Sequence, residues 1–244
     1  MDQGGISVVI PVFNGAGFLA GAIDSALGQD GVSVEVIVVD DGSTDATARV
    51  AAGYGERITY LSQPNRGPSA ARNFGIARAR GDFLAFLDSD DVWPPRNLVT
   101  LLAAMTPGVD IVLGRIQEQR FEAELQAWVA SRAPTFSLSL CAMLVRRAAV
   151  ARIGPLDETI RIGEDKDWFY RAREAGQHIV YLAEHIAQYH RRHETNMTRD
   201  MGRPETYLLS LLRKSLQRRS VFAAPASRET AETEGSKPVD GAGS

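Results

Sequence analysis

Residues Val34–Asp45 read VEVIVVDDGSTD. Six residues rich in valine and isoleucine run into two aspartates, a glycine and a cluster of Ser, Thr and Asp. An apolar run of this length with β-branched residues and a polar end is a strand buried on both faces, as in a parallel sheet. The polar end is a turn, and Asp45 is placed to cap a helix running to about Tyr54. The pattern recurs on both sides. Ile6–Ile10 (ISVVI), Ile58–Leu61 (ITYL), Phe83–Leu87 (FLAFL) and Asp110–Leu113 (DIVL) read as further strands of the same type. Between them lie helical stretches. Phe18, Leu19, Ala22, Ile23, Ala26 and Leu27 form one apolar stripe that Gly28 ends. Ala70–Ala79 and a stretch from Pro95 to Met105 supply two more helices. Strands alternating with helices mean right-handed βαβ units, so the fold class is α/β with a mostly parallel sheet flanked by helices.

The second half is less regular. Phe121–Ala130 reads as a short helix carrying Trp128, Leu138–Val145 as a buried strand, and Asp165–Ala175 as a helix ended by Gly176. Ile179–Leu182 and Ile186–Tyr189 are strand candidates. Pro204–Gln217 is amphipathic, with Leu208, Leu211, Leu212 and Leu216 on one face. The division expected is residues 1–115 and 116–222 as two halves of one domain, with 223–244 a disordered tail whose only large apolar residue is Val239.

Composition fits this organisation. The chain has 244 residues, 44% of them hydrophobic and 23% charged, which excludes a wholly disordered chain. Its 27 Lys+Arg against 30 Asp+Glu leave −3, so there is no global basic field for nucleic acid. The one cysteine, Cys141, lies among apolar neighbours and excludes an intramolecular disulfide or a thiolate metal cluster. No signal peptide opens the sequence, and the longest apolar run, Leu140–Val145, is too short to span a bilayer. The location expected is cytoplasmic, peripheral at a membrane at most. Arg213, Lys214, Arg218 and Arg219 on the terminal helix allow weak, salt-sensitive lipid contact, although solvated charges on a packed helix account for them as well.

In a parallel sheet, ligands bind outside the carboxyl ends of the strands. Four such ends carry Pro11–Asn14, Asp40–Asp45, Pro64–Pro68 followed by Ser69 and Arg72, and Asp88–Asp91, so one edge gathers six aspartates and two arginines. So many carboxylates together are costly unless they meet a cation or a hydrogen-bonding ligand. Taken singly, each piece is explained by an Asx turn, a helix cap or a solvated strand end; their recurrence along one edge argues for a site. No G-x-x-x-x-G-K-[ST] and no G-x-G-x-x-G follows any strand, against P-loop hydrolases and ordinary dinucleotide enzymes. D-x-D at a strand end suits Mg²⁺ or Mn²⁺ that keeps positions open for a diphosphate. Gly163–Trp168 opens a helix, and from spacing alone a helix cap and a catalytic carboxylate are equally well served. Tyr189–Asn196 holds two His and two Arg in what reads as a short loop, a composition suited to metal and phosphate.

Together these segments resemble the family 2 glycosyltransferases of the GT-A fold. The likeness is carried by SVVIPVFN (7–14), VIVVDDGSTDAT (36–47), NRGPSAARNFGIARARGDFLAFLDSDDVW (65–93), GEDKDWFYRAREAG (163–176) and YHRRHETNMT (189–198), five motifs in the family's order. The resemblance implies a metal-dependent, inverting hexosyltransferase that uses a nucleoside-diphosphate sugar, most simply UDP-linked. Pro11, Phe13, Asp40 and Asp41 would line the base and ribose pocket, with Asp41 accepting from uracil N3–H. Arg72 and Arg66 would lie near the nucleotide. Asp88 would face the ribose side of the metal site, Asp90 would bind Mn²⁺ or Mg²⁺, and His193 would complete the metal or diphosphate contacts. Asp165 would be the general base, held ionised by the helix N-terminus, with Asp91 and Glu164 supporting. The acceptor would be a glycan, a lipid-linked molecule or a peptide. Two rivals remain open on the sequence: a non-catalytic sugar-nucleotide-binding module of a biosynthetic complex, and a nucleotidyltransferase. The latter wants a glycine- and arginine-rich loop where Pro11–Asn14 stands.

Overall fold

The computed structural model describes residues 5–194, 211, 213–216 and 218. Among the described residues eight strands form one sheet: β1 (Ile6–Val12), β2 (Val34–Asp40), β3 (Thr59–Ser62), β4 (Phe83–Phe86), β5 (Ile111–Glu122), β6 (Ala127–Ala130), β7 (Met143–Arg146) and β8 (Ile179–Arg192). The order is β3-β2-β1-β4-β7-β5-β6, with β8 on β5. Pairings among β1–β4 and between β5 and β8 are parallel; β7 pairs antiparallel with β4 and β5, and β6 pairs antiparallel with β5. Helices α1 (Leu19–Leu27), α2 (Thr47–Ala52), α3 (Pro68–Ile76), α4 (Asn97–Ala103), α5 (Arg147–Ile153) and α6 (Glu164–Glu174) cover the two faces.

Side-chain alternation explains the three layers. Val8, Ile10, Val36 and Val38 join a core cluster with Leu19, Ile23, Leu98 and Leu101. Val9, Ile37 and Val39 point the other way, to Ala71, Val150, Trp168 and Phe169. A strand buried on both faces has no polar side to alternate with, which is why these runs are continuously apolar. Pro11 is tolerated in the central strand because β4 has ended beside it. The last bond on that edge is Leu87 N–H to Val9 C=O, and Pro11 lies past the last paired residues there, Val9 and Phe86.

Four expectations are corrected. Phe121–Ala130 is a hairpin of β5 and β6, not a helix. Phe121, Leu125 and Trp128 mimic a helical stripe by their spacing, but Phe121 is the cross-strand partner of Trp128, and Gln126 takes φ 48° in the turn. Ile58–Leu61 yields an edge strand with largely exposed residues, not one buried on both faces. Leu138–Val145 is split into a 3₁₀ turn, Leu140–Ala142, and β7. The two candidate strands near 180 and 188 are one, β8, which continues to Arg192, so His190, Arg191 and Arg192 lie on a strand and not in a loop. Opposite Gly114 the β5–β8 register shifts; a Cβ there would stand 2.6 Å from Ala187 Cβ, so only glycine lets the two strands approach. The expected division at residue 115 falls inside β5, which belongs to both halves. The expected tail and most of the Pro204–Gln217 helix lie outside the described residues.

Candidate active site

The carboxyl ends of β1, β2, β3 and β4 open on one edge, as their parallel registers require. There the loops brace one another. Asn14, with φ 50°, accepts from Thr44 N–H through Oδ1 (2.8 Å), and its own N–H donates to Ser43 Oγ (2.8 Å). The N-cap of α2 is Ala46 and not Asp45 as expected; Asp45, one residue earlier, accepts from Thr47 N–H and from Ala16 N–H and so ties the start of α2 to the loop after β1. The Phe13 ring is left 51% exposed at the mouth, a free aromatic face.

Asp40 and Asp41 are both buried, 3% exposed, and both are engaged by the chain. Asp40 accepts from Ser43 N–H (2.7 Å) and Tyr60 Oη (2.6 Å). Burial and that bond push the Tyr60 phenol far above its ordinary range. Asp41 accepts from Gln63 Nε2 (2.7 Å), Arg66 N–H (2.8 Å) and Gly67 N–H (2.7 Å). It therefore staples the loop after β3 to the end of β2. Gly67 follows with φ 91° and opens α3. The Arg66 guanidinium, 62% exposed, pairs with Glu158 at 2.8 Å, away from Asp41.

Helix α3 delivers Arg72, whose buried guanidinium donates to Asp88 Oδ1 (2.6 Å) and to Glu164 Oε1 (2.9 Å). Its Nε has no partner among the described residues. Burial alone would raise the Asp88 carboxyl; the Arg72 charge and hydrogen bond, with Cys141 and His190, together outweigh it and hold Asp88 below its usual range. Asp90 has the opposite balance. Burial, then the charges of Asp91 and Asp88, push it up to about 6, against the pull of His193. His193 Nε2 lies 3.0 Å from Asp90 Oδ2, and its ring stacks on Phe18 at 4.2 Å. Asp91 is fully buried and accepts from Gln188 Nε2, His190 Nδ1 and Arg191 N–H, tying the aspartate loop to β8.

Asp165 lies in the first turn of α6 beside Glu164, and its Oδ1 accepts from Lys166 N–H at 2.7 Å. Burial and the Glu164 charge raise its pKa to about 6. The expectation that the helix N-terminus holds this group ionised is thus corrected: desolvation and a neighbouring carboxylate outweigh the helix dipole. The result is a carboxylate titrating near neutrality, which suits a proton acceptor.

Of the sequence-predicted residues, Asp165, Arg72 and Asp88 fall on one line through Glu164, with the Asp90–His193 pair two residues past Asp88; Asp40, Asp41 and Arg66 stand apart from it. Sequence reasoning missed Gln63, Gln188 and His190 as the donors that hold Asp41 and Asp91, and it missed the Phe18 stack on His193. Single glutamines on strands or loops carry no spacing signal. Cys141 is the buried thiol expected, with burial pushing it well above its ordinary value.

Among the described residues no three His, Cys, Asp or Glu side chains form a metal-holding group. Asp90 and His193 nonetheless face each other, and Asp90 is raised by burial and then by the neighbouring carboxylates. A hard divalent cation that takes one carboxylate and one imidazole from the protein, and its other ligands from phosphate and water, fits that pair.

A mostly parallel sheet with helices on both faces, whose loops present this carboxylate line, defines a glycosyltransferase domain of the GT-A type. The model of Glycosyl transferase family 2 matches residues 7–194, and the chain belongs to that family. The succinoglycan biosynthesis protein ExoO of Rhizobium meliloti is 37% identical over 184 residues, 66% of this chain and 53% of ExoO. An uncharacterized glycosyltransferase of Rickettsia typhi is 30% identical over 182 residues, 67% of this chain and 57% of its own. The chain therefore spans a little over half of each of these two relatives. In fold it is similar to S. aureus TarS in complex with UDP-GlcNAc, with a TM-score of 0.72 at 21% identity, covering 93% of this chain and 68% of that one. It is similar also to a Pyrobaculum calidifontis mannosyltransferase in complex with GDP-Man and Mn²⁺, with a TM-score of 0.62 at 17% identity, covering 92% and 76%.

Proposed function

We propose that the chain transfers a sugar from a nucleoside-diphosphate donor, UDP-linked, to an acceptor nucleophile in one inverting displacement that depends on a divalent cation. The observation that carries this reading is the Arg72 bridge. One guanidinium joins the D-x-D at the end of β4 to the Glu164–Asp165 pair on α6, so donor-side and base-side carboxylates are built as one unit.

In the proposed reaction the donor lies over the ends of β1 and β2, with Phe13 against the base. Asp41, already holding its loop, keeps the pocket in shape and has a further lone pair on Oδ2 for the base. Asp40 and Arg66 border the same pocket, and Asp88 offers its second oxygen to the ribose. Asp90 and His193 would hold Mn²⁺ or Mg²⁺, which supplies positive charge where the diphosphate develops negative charge. Asp165 takes the proton from the acceptor hydroxyl. The acceptor oxygen bonds to the anomeric carbon as the bond to the diphosphate oxygen breaks, and the nucleoside diphosphate leaves with that electron pair. Most of the rate enhancement comes from positioning and fixed charge.

The name of one relative supports a glycan as acceptor, since ExoO is a succinoglycan biosynthesis protein; lipid-linked and peptide acceptors belong to the same proposal. No helix among the described residues is long and apolar enough to cross a membrane. A panel of UDP-, GDP- and dTDP-sugars assayed for nucleoside-diphosphate release, with and without Mn²⁺, tests the reading. Metal-dependent UDP release supports it. Sugar-nucleotide binding without turnover on any acceptor would favour a binding module instead.

A further inference from the structure

The family match ends at residue 194, yet ordered contacts continue beyond it. Leu211 is buried, 1% exposed, and Lys214, Ser215 and Arg218 all reach back to the domain. Arg218 Nη1 donates to Asp167 Oδ1 (2.9 Å), and its Nε donates to Glu174 Oε2 (2.9 Å). Ser215 Oγ donates to the other oxygen of Glu174 at 2.5 Å. Asp167 and Glu174 stand seven residues apart, two turns along one face of α6. The terminal segment therefore grips α6 near both ends. Asp167 is buried and takes a second cation, Arg171, at 2.9 Å. A buried carboxylate shared by two guanidiniums is held in a narrow geometry, because leaving it unpaired is costly.

The same segment makes a second anchor. Lys214 Nζ pairs with Asp157 Oδ2 (2.5 Å) and donates to Thr159 Oγ1 (3.0 Å). Burial alone would raise Asp157, but the Lys214 bond brings it down to about 2. Between those two residues, Glu158 pairs with Arg66 of the donor-side loop and accepts from Asn73 of α3. A cavity of roughly 510 Å³ lies between the segment and the domain, lined by Asp157, Asp167, Arg171, Lys214 and Arg218.

We infer that Lys214, Ser215 and Arg218 form a brace in which Arg218 is a positioning residue: it fixes the first turn of α6, and with it Asp165, two residues from Asp167. The inference rests on the assignment of Asp165 as the base. Arg218 touches neither donor nor acceptor. Its loss lets α6 shift, and misplacing a base lowers turnover without changing donor affinity.

The test uses the full chain as wild type, Arg218→Ala, Arg218→Lys and Asp165→Asn. The probe is whichever UDP-sugar gives metal-dependent UDP release. Arg218→Ala is expected to lower kcat roughly tenfold with KM for the UDP-sugar unchanged. Amides 164–170 should exchange faster in deuterium-exchange mass spectrometry, while β1–β4 amides stay as in wild type. Arg218→Lys keeps one charge-assisted bond of the two and should recover part of the loss. Unchanged exchange in α6, or an unchanged kcat in Arg218→Ala beside an inactive Asp165→Asn, would overturn the brace. Global loss of protection in Arg218→Ala leaves Arg218→Lys as the deciding variant: it must show the kcat loss with protected β1–β4 amides. An Asp165→Asn enzyme with normal turnover would instead bring down the base assignment, and the positioning role with it.

Discussion

Arg72 Nη2 stands 2.6 Å from Asp88 Oδ1, so the first carboxylate of the D-x-D is ion-paired before any ligand arrives. The guanidinium is buried, while the Asp88 side chain is 38% exposed. Arg72 thus fixes one oxygen of Asp88, while the carboxylate keeps part of its surface open. Its second nitrogen holds Glu164 in the same plane, a fork that a lysine ammonium does not reproduce.

Arg72→Met should therefore destabilise the fold, because it leaves Asp88 and Glu164 without their cation. Breaking one partner of a buried pair costs about 3–5 kcal/mol, less here because Asp88 is half-exposed. Urea unfolding gives the size, and Arg72→Lys should fall between wild type and Met. A Met variant as stable as wild type would show that the bridge holds nothing together.

Asp41→Ala removes a carboxylate that accepts from Gln63, Arg66 and Gly67. Each orphaned donor costs about 1–3 kcal/mol when buried, and the loop opens to water to relieve part of that. The expected outcome is a fall in melting temperature together with weaker UDP binding by calorimetry. Weaker UDP binding with unchanged stability would mean that Asp41 acts on the base alone and not through the loop.

How much was legible in the sequence follows from where each signal comes from. The doubly buried strands announce themselves, because Val36–Val39 and Val8–Ile10 have no solvent face and so no polar residue. The site edge follows from topology, since parallel strands put Asp41, Asp88 and Phe13 together whatever the loops do. Residues 121–130 misled because Phe121, Leu125 and Trp128 satisfy a helical period while pairing across a two-stranded turn. Tertiary pairing overrode the local pattern there. The direction of the Asp165 shift was illegible for a different reason: the helix N-terminus is visible in sequence, but burial and the Glu164 charge depend on packing. Likewise Lys214 and Arg218 read as basic surface, whereas the acidic partners that occupy them lie 57 and 51 residues away at Asp157 and Asp167.

Asp90→Asn should weaken Mn²⁺ binding in the presence of UDP and cut turnover, since it halves the pair formed with His193. His193→Ala should give a smaller loss of the same kind, because water can replace an imidazole more readily than a carboxylate. Losses at a metal ligand are roughly tenfold or more. Isothermal titration with Mn²⁺ plus UDP reads both variants, and full activity in excess EDTA would remove the metal from the reaction.

Asp165→Asn gives the sharpest result, because activity and stability should move in opposite directions. The amide is nearly isosteric but accepts no proton, so turnover should fall about 10²–10⁴-fold while UDP and metal binding stay near wild type. In the wild-type enzyme, kcat/KM should fall as pH drops below about 6, where Asp165 takes up its proton. The stability effect has the other sign. The folded pKa is raised from 3.8 to about 6, so this carboxyl favours folding below its unfolded value, and that contribution is lost as pH rises through about 6. At pH 7.5 the ionised group is a burden on the fold, and Asn lifts it. Asp165→Asn should then melt a few degrees higher than wild type at pH 7.5, with the gain shrinking toward pH 4. A variant that is dead and also less stable at pH 7.5 would mean that the loss of turnover comes from a damaged α6 and not from a missing base.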